Sequence, residues 1–399
     1  MTDSSAGPYR DPKNPGAPII PRAEWDLGPY NRWTFQHVSD LVPTTRVWRG
    51  NGPASNWPEA HQDVNGIRVN HEGREWSVGE CLEETFTDGF LVLHKGQIVA
   101  ETYMNGMRPQ TLHLSQSVGK SVVGALAGIL VHRGVIDPQE PVTRYLPELE
   151  ATAYRGATLQ QVLDMTTGVV FDETYTAPDS HMAKLDAACG WKTRKSEDWP
   201  ETVWQLILQL TESGRPHGEA FEYRSIETDV LAFILQRASG RMLADLVSEE
   251  LWSPLGAGED ASFTVDPAGY ALACGGFNAA LRDYGRFADM ITHGGAFNGR
   301  QIVPAEWVFE TRTGGNHAVF RGDYRIVLPN GAYHNQFWIE DVARPVLMSR
   351  GVFGQMLYMD QTTEFTAVKL SSWPDFVNAH RTTLTIAMVG AIRDALSPL

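Results

Sequence analysis

The chain has little of what marks a secreted or membrane protein. Its 399 residues include only three cysteines, which are far apart and odd in number, so free thiols in a reducing compartment are the simplest interpretation. No stretch of about 18 apolar residues could span a bilayer. The first 30 residues are rich in proline and contain no apolar core segment, which excludes a signal peptide. These absences predict a cytoplasmic protein.

Positive charge and metal-binding motifs are also scarce. The formal net charge is −15 and no run of Lys or Arg interrupts the acidic character, so the surface repels nucleic acids and anionic membranes. The 12 histidines form no His-Glu-x-x-His motif and no close Cys/His cluster of zinc spacing. We therefore expect no nucleic-acid partner, no membrane partner and no metal or other cofactor.

What is present is the composition of an ordinary globular protein. Hydrophobic residues make up 42% and charged residues 20% of the chain, and the length suffices for one large or two moderate domains. Local patterns predict the following elements: an irregular proline-rich arm over 1–30, a hairpin around Lys95-Gly96, helices that begin near Ser117 and Thr158 and cover 201–210 and 228–238, strands at 346–348, 355–359 and 365–370, and a closing helix over about 382–395.

Strand patterns therefore lie toward both ends of the chain and helical patterns lie between them. This order predicts an α/β sheet domain that is built from residues 1–133 and 270–399, with the proline-rich arm at its start. A helical domain is predicted over residues 134–269.

Ser117 and Lys120 form the most informative short pattern. No other serine of the chain is followed by a lysine at this spacing, and residues three apart share one face of a helix. A lysine whose pKa is lowered by burial can accept a serine proton. The apolar segment that follows Lys120 predicts such burial.

The same segment allows other interpretations. Gly119-Lys120-Ser121 ends like a phosphate-binding P-loop, but Leu114 stands where that motif needs a glycine. Ser115-x-Ser117-x-Gly119 matches part of the nucleophile-elbow pattern Gly-x-Ser-x-Gly, but Ser115 stands in place of the first glycine. In a purely structural interpretation, Ser117 caps the helix and Lys120 is solvated. A pattern of only four residues recurs often by chance, so by itself it favours this structural interpretation.

Two further features accompany the pattern. Gly119, Gly124 and Gly128 interrupt the predicted helix at roughly one-turn spacing, which predicts a flat face that another element approaches closely, unless the glycines are incidental. Tyr223 precedes a predicted helix. A phenol beside a buried ammonium can have its pKa lowered enough to exchange protons near neutrality, although an isolated tyrosine there is more often a packed aromatic.

Ser117-x-x-Lys120, Tyr223-x-Ser225 and a late glycine-bearing strand occur in the order seen in the serine β-lactamase and penicillin-binding protein superfamily. Over nearly the whole chain the sequence resembles the 6-aminohexanoate-dimer hydrolases, or nylon-oligomer hydrolases, which are similar to class C β-lactamases and their carboxylesterase relatives. Segments that carry this resemblance include Asn31-Arg32-Trp33, Cys189-Gly-Trp191 and the stretch 368–375. The resemblance implies a β-lactamase/DD-peptidase-like α/β fold, with an antiparallel sheet flanked by helices and a helical domain.

The resemblance also implies residue roles. Ser117 would be the acylated nucleophile, and Lys120 and Tyr223 the proton-relay pair. Ser225 stands where broader superfamily members carry Asn. Tyr175 matches the tyrosine that binds the substrate amide, and Asp186 matches the acidic pocket residue that faces the substrate's amino group.

The third superfamily motif, Lys-Thr-Gly, is missing. The chain has Ser349-Arg350-Gly351-Val352-Phe353-Gly354-Gln355 instead. The Val352 amide could still complete an oxyanion hole with that of Ser117, and Arg350 could replace the motif lysine if its side chain points toward the site. Phe353 and Cys274 stand where relatives carry a histidine and a polar pocket residue, which bears on substrate preference.

The resemblance implies a serine hydrolase that acts through an acyl-enzyme on small linear amides of the 6-aminohexanoate-dimer type, with carboxylesterase activity. The alternative is a carboxylesterase without significant amidase activity. A β-lactamase or DD-peptidase would need export, and a non-catalytic binding protein would be expected to lose Ser117 or Lys120. The partner is thus expected to be a small amide or ester, and the family makes a homodimer an expectation.

Overall fold

The computed structural model describes residues 20–397. The predicted arm over 1–30 therefore lies mostly outside the described residues, and so do the last two residues of the chain. Residues 21–30 form a series of turns that leads into the first short helix. Within residues 20–397 no helix is long and apolar enough to cross a membrane.

The strands form one large and one small antiparallel sheet, together with two short hairpins. Their bounds are β1 (Thr44–Val47), β2 (Arg68–His71), β3 (Arg74–Ser77), β4 (Thr87–His94), β5 (Gln97–Tyr103), β6 (Leu112–Leu114), β7 (Ala261–Thr264), β8 (Phe277–Ala280), β9 (Ala296–Phe297), β10 (Arg300–Gln301), β11 (Ala332–His334), β12 (Phe337–Ile339), β13 (Leu347–Gly351), β14 (Gln355–Asp360) and β15 (Phe365–Ser371). The seven-stranded sheet has the order β11-β12-β13-β14-β15-β4-β5, and the four-stranded sheet has the order β1-β7-β8-β6.

The large sheet joins the two ends of the chain. The predicted hairpin around Lys95-Gly96 is confirmed as β4 and β5, and β15 from the C-terminal part pairs with β4 so that Val368 lies opposite Leu91. Alternate residues of a strand point to opposite faces. Leu91 and Leu93 accordingly belong to one hydrophobic core, while Phe90 and Val92 belong to another. The sheet is thus covered on both faces.

Helices cover these faces and fill the segment between the strands. Their bounds are α1 (Asn31–Thr34), α2 (Val78–Glu84), α3 (Val118–His132), α4 (Leu159–Leu163), α5 (His181–Ala188), α6 (Val203–Gln209), α7 (Ile226–Ser239), α8 (Leu243–Val247), α9 (Ser253–Leu255), α10 (Leu281–Thr292), α11 (Ala305–Thr313), α12 (Tyr324–Val327) and α13 (Ala379–Leu396). Helix α10 packs on β4, β14 and β15, and α13 contributes to the core on the opposite face.

Helix α3 lies at the centre of the molecule and is buried from Val118 to Leu130. The predicted flat glycine face is confirmed. A Cβ atom added at Gly119 would lie 2.9 Å from the Phe277 side chain, and one added at Gly124 would lie 2.4 Å from the Asn335 carbonyl oxygen. At Gly128 it would meet the Trp307 ring at 2.3 Å. The glycines let strand, loop and helix residues approach the helix axis, which fixes the position of its first turn.

The segment 134–269 is mainly helical, with α7 packed against α3 and α4. It also contains β7, which pairs with β1 in the small sheet. The predicted division into domains at 133/134 and 269/270 stays a prediction.

Candidate active site

Ser117 lies in the tight turn between β6 and α3. The backbone N–H and the hydroxyl of Ser115 both donate to the Phe277 carbonyl oxygen, at 2.9 and 3.0 Å, and Gln116 has a φ of 50°. A non-glycine residue in the left-handed region costs on the order of 1–3 kcal/mol and persists only where its surroundings impose it. The turn therefore holds Ser117 in one position, 8% exposed, at the start of the helix.

Lys120 points back at Ser117 from one helical turn further on. Its ammonium nitrogen donates to Ser117 Oγ at 2.7 Å, to Ser225 Oγ at 3.2 Å and to the Cys274 carbonyl oxygen at 2.6 Å. Lys120 is 1% exposed, and the Ser117 side chain makes no capping hydrogen bond. The interpretation of Ser117 as a cap and Lys120 as a solvated residue is therefore wrong.

The charge state of Lys120 differs from the sequence-based expectation. Desolvation by burial lowers the pKa of Lys120, as the sequence predicts, but interactions with Tyr223, Cys274 and Glu173 raise it by more. The net shift is upward from the ordinary value. The expected net lowering is therefore wrong, although burial has the expected effect, because these neighbours come from distant parts of the chain. In the resting protein Lys120 is an ammonium that donates to Ser117.

Tyr223 stands on the other side of Ser117. Its ring stacks on Trp338 with the centroids 5.3 Å apart, its backbone N–H donates to the Tyr324 hydroxyl at 2.9 Å, and the Lys120 ammonium lies 5.1 Å from its ring centroid. Desolvation raises the pKa of Tyr223, and Lys120 and Ser117 offset only part of this rise. The expected lowering of this pKa is therefore wrong, and Tyr223 rests as a neutral phenol.

Glu173 completes the cluster and was not predicted. Its carboxylate accepts from the Ser225 hydroxyl at 2.5 Å, from the Ser225 backbone N–H at 2.9 Å and from the Tyr175 hydroxyl at 2.9 Å. Desolvation raises the pKa of Glu173, against the effects of Lys120 and Ser225. Glu173 stands two residues before Tyr175, but an acidic residue in a loop carries no local pattern that marks it as buried.

Ser117 opens on a cavity of about 340 Å³ whose wall includes Tyr223, Trp338 and Arg350. The guanidinium of Arg350 lies over the Trp338 ring, 5.0 Å from its centroid. Burial lowers the pKa of Arg350 to about 10, so it remains cationic at neutral pH. Among residues 20–397 no carboxylate pairs with it. The sequence left open whether the Arg350 side chain points toward the site. In the structure it lines the cavity.

A smaller recess of about 20 Å³ also borders Ser117 and is lined in part by Asp186. The Asp186 carboxylate lies 3.2 Å from the Lys192 ammonium, which is also 3.4 Å from the carboxylate of Asp26. Burial raises the pKa of Asp186 to about 7, with Lys192 opposing and Asp26 adding to the rise. The predicted acidic residue therefore already has an ammonium partner within the chain.

The remaining predicted pocket residues lie around Ser117. Tyr175 lines both the cavity and the recess, and its ring stacks on Phe376 with the centroids 5.2 Å apart. Val352 also lines both, in the turn that connects β13 to β14. A Cβ atom added at Gly351 would lie 2.6 Å from the Ser115 carbonyl oxygen. The end of β13 therefore packs directly against the turn that carries Ser117.

Phe353 and Cys274, the two residues at which the sequence departs from the family that it resembles, have different surroundings. The ring of Phe353 is buried and packs against Phe35 and Phe376, with centroids 5.3 and 4.7 Å away. Cys274 lines the recess, and its backbone N–H donates to Asp229 Oδ1 at 3.3 Å. Burial raises the pKa of the Cys274 thiol well above its ordinary value, so Cys274 is a neutral wall residue.

Known proteins are similar to this chain in sequence and in fold. Residues 82–389 match the beta-lactamase family. The chain is 36% identical over 352 residues to the 6-aminohexanoate-dimer hydrolase of Paenarthrobacter ureafaciens, covering 88% of each chain. It is 29% identical over 170 residues to esterase EstB of Burkholderia gladioli, covering 42% of each.

Among solved structures, a Bacillus anthracis protein provisionally named a 6-aminohexanoate-dimer hydrolase superposes with a TM-score of 0.88 at 28% identity, over 98% of this chain and 99% of that one. The fold class predicted from the sequence is thereby confirmed. From the extent of these matches, the chain belongs to the beta-lactamase family of hydrolases and is a relative of the 6-aminohexanoate-dimer hydrolases.

Proposed function

We propose that the protein is a serine hydrolase that cleaves small linear amides of the 6-aminohexanoate-dimer type through an acyl-enzyme on Ser117, and that it also cleaves simple esters. Ser117 Oγ attacks the carbonyl carbon, the leaving amine or alcohol departs with a proton, and water then releases the acyl group by the same steps. The support is the buried contact of Ser117 with Lys120 and Tyr223.

In the proposed mechanism Glu173 is the final acceptor of the proton that Lys120 has to lose. Because Lys120 rests as an ammonium, it must first lose a proton before it can act as a base. Its contact with Ser225 Oγ, which itself bonds to Glu173, supplies the route: Lys120 gives a proton to Ser225 as Ser225 gives its own to Glu173. The neutral amine then accepts the Ser117 proton.

Tyr223 is proposed to serve the leaving group. Its phenol proton passes to the departing nitrogen or oxygen, and Lys120 replaces that proton with the one that it took from Ser117. The oxyanion of the tetrahedral intermediate is assigned to the backbone amides of Ser117 and Val352, since both residues border the cavity and the recess and preorganised amides stabilise such a charge.

The observation that carries the substrate assignment is the arrangement of charge around Ser117. Arg350 lies in the wall of the larger cavity, and Asp186 lies in the adjoining recess. A linear amide with a carboxylate at one end and an ammonium at the other would meet a cation in the larger cavity and a carboxylate in the recess, and Ser117 borders both. An entering ammonium would also favour the ionised form of Asp186.

One observation favours the alternative, a carboxylesterase without significant amidase activity. Lys192 already pairs with Asp186, so a substrate ammonium has to share this carboxylate. A neutral ester needs no contact with the recess, and its leaving group is better than that of an amide. Ester cleavage is therefore the activity that both interpretations expect.

The decisive experiment compares the 6-aminohexanoate dimer, its N-acetylated form and a short p-nitrophenyl ester. Acylation is located by mass spectrometry, and Ser117→Ala should lower kcat on every substrate by several orders of magnitude. Asp186→Asn and Tyr175→Phe should lower dimer hydrolysis about tenfold or more while ester hydrolysis stays within a few-fold. The N-acetylated dimer, which lacks the ammonium, should be insensitive to Asp186→Asn.

Arg350→Met should raise KM for both dimer substrates and leave the ester unaffected, since only the dimers carry a carboxylate. Equal losses on all substrates would mean that Asp186 and Arg350 hold the fold rather than the substrate. A wild-type protein that cleaves only the ester would be a carboxylesterase. Acylation at another residue would overturn the assignment of Ser117.

A further inference from the structure

A second group of potential ligands lies where the β2–β3 hairpin meets the start of α13. His71 ends β2, Glu72 follows it in the turn, and His380 lies in the first turn of α13. One ligand atom from each of these three side chains lies within 4.8 Å of the other two. The histidines are far apart in the sequence, so no spacing motif announces the cluster.

The hydrogen bonds around His71 favour one tautomer. The Thr383 hydroxyl has a backbone acceptor, the Ala379 carbonyl oxygen, 3.0 Å away. When the hydroxyl donates there, its oxygen accepts from His71 Nε2, which lies 2.8 Å from it. This arrangement places the His71 proton on Nε2 and leaves a lone pair on Nδ1. This Nδ1 atom is buried and has no hydrogen-bond partner.

An imidazole held in this way is prepared to bind a metal ion. Metal-binding histidines usually donate their other N–H to an oxygen that fixes the ring, as Thr383 does for His71. The side chain of His71 is 9% exposed, so its unpartnered nitrogen has no bulk water to compensate for the missing bond.

The other two groups supply charge and access. His380 Nδ1 lies 2.8 Å from Glu72 Oε2, and the side chains of His380 and Glu72 are 38% and 62% exposed. An ion can therefore enter from solvent and bind two imidazoles and a carboxylate. This donor set suits a borderline divalent ion such as Zn²⁺, whereas Ca²⁺ and Mg²⁺ prefer oxygen ligands throughout.

We propose that His71, Glu72 and His380 bind one divalent transition-metal ion, with Zn²⁺ as the best match and water as the fourth ligand. The ion would join the β2–β3 hairpin to the N-terminal end of α13. Thr382 and Thr385 of the same helix line the active-site cavity, so the proposed role is to hold this wall in place. The proposal is independent of the substrate assignment.

The test uses the full chain after treatment with a chelator. Zinc binding is measured by isothermal titration calorimetry and by the thermal unfolding midpoint, with and without EDTA. We expect one equivalent to bind saturably and to raise the midpoint. His380→Ala should abolish this site, and Thr383→Val, which removes the acceptor for His71 Nε2, should weaken it about tenfold or more.

The matched control is His61→Ala, because His61 is an exposed histidine 3.2 Å from a carboxylate oxygen of Glu59 and lies outside the cluster. It should bind zinc as the wild type does. Wild-type protein that binds no zinc, or zinc binding that is unchanged in His380→Ala, would overturn the proposal. Since His380 is partly exposed, we expect its removal to leave the fold intact, which circular dichroism would verify.

Discussion

At the scale of single residues, the proposed chemistry depends on protons that Ser117, Lys120 and Tyr223 would share. Lys120 contacts both Ser117 and the Tyr223 ring face, 5.1 Å from the ring centroid. Groups that pass one proton between them act as a unit, so their removal is not additive.

We therefore predict that Lys120→Ala and Tyr223→Phe each lower kcat for a short ester by several orders of magnitude, and that the double variant is little worse than either. Steady-state kinetics measures this. Tyr333→Phe is the control, because Tyr333 packs against the Tyr223 ring without a role in the relay, and it should stay within a few-fold of the wild type. Additive losses in log kcat would indicate independent roles.

A substitution that removes the charge of Glu173 tests the proposed proton relay. The carboxylate raises the pKa of Lys120, so removal of the charge should lower this pKa. In the proposed relay Glu173 must be ionised to accept a proton. For Glu173→Gln we therefore predict that kcat/KM falls about tenfold or more and that the acid limb of its pH profile, which reports protonation of this carboxylate, disappears.

The control is Asp172→Asn, which changes a neighbouring exposed carboxylate that bonds only to its own loop at the Thr174 N–H. Its pH profile should match that of the wild type. A Glu173→Gln profile that keeps the acid limb would remove Glu173 from the relay.

At the scale of elements, the position of α3 depends on its glycine face. A methyl group at Gly124 would lie 2.4 Å from the Asn335 carbonyl oxygen, a backbone atom. We predict that Gly124→Ala lowers the free energy of unfolding by about 1–3 kcal/mol. It should also lower kcat, because the shifted helix carries Lys120.

The matched control lies in another helix. Gly390 of α13 has free space around it, with only the Arg393 guanidinium at 3.9 Å from an added Cβ atom. Gly390→Ala should stabilise the protein by about 0.5–1 kcal/mol, since alanine favours the helix more than glycine does. Urea denaturation measures both variants. Equal effects of the two substitutions would refute the close-approach argument.

At the scale of the whole molecule, one buried lysine links stability to pH. Lys369 of β15 is 1% exposed and donates to the Thr85 carbonyl oxygen at 3.0 Å and to the Ser371 hydroxyl. Desolvation lowers its pKa from 10.5 to about 7, and the Asp88 carboxylate offsets only part of this. Between these two values the unfolded chain binds the proton and the folded chain does not.

The contribution of Lys369 to the free energy of unfolding therefore rises with pH between about 7 and 10.5. Below the pKa of the folded state, the destabilisation caused by its buried charge is complete. We predict that Lys369→Met stabilises the protein most near neutral pH and that this advantage shrinks as the pH rises. Urea midpoints at several pH values measure it. Lys195→Met, at an exposed lysine, should show no such trend, and a pH-independent advantage for Lys369→Met would contradict the prediction.

Features that depend on local periodicity were predictable. The β4–β5 hairpin, the helices that follow Ser117 and Ser225, and the C-terminal strands β13, β14 and β15 all lie within a few residues of their predicted bounds. Such elements are specified by alternation, helical spacing and turn residues that neighbours in the sequence supply. The pairing of Ser117 with Lys120 belongs to the same class, because one helical turn brings the two side chains together.

Electrostatics and contacts across the sequence were decided only by the tertiary structure. The upward shift in the pKa of Lys120 comes from interactions with Tyr223, Cys274 and Glu173, and the Arg350 guanidinium lies over the ring of Trp338 from another strand. Desolvation and Coulomb interactions depend on distances in space, and these are set by how the sheets and helices pack. The sequence by itself therefore determined which side chains could react, and the packing determined which of them carry protons and charge.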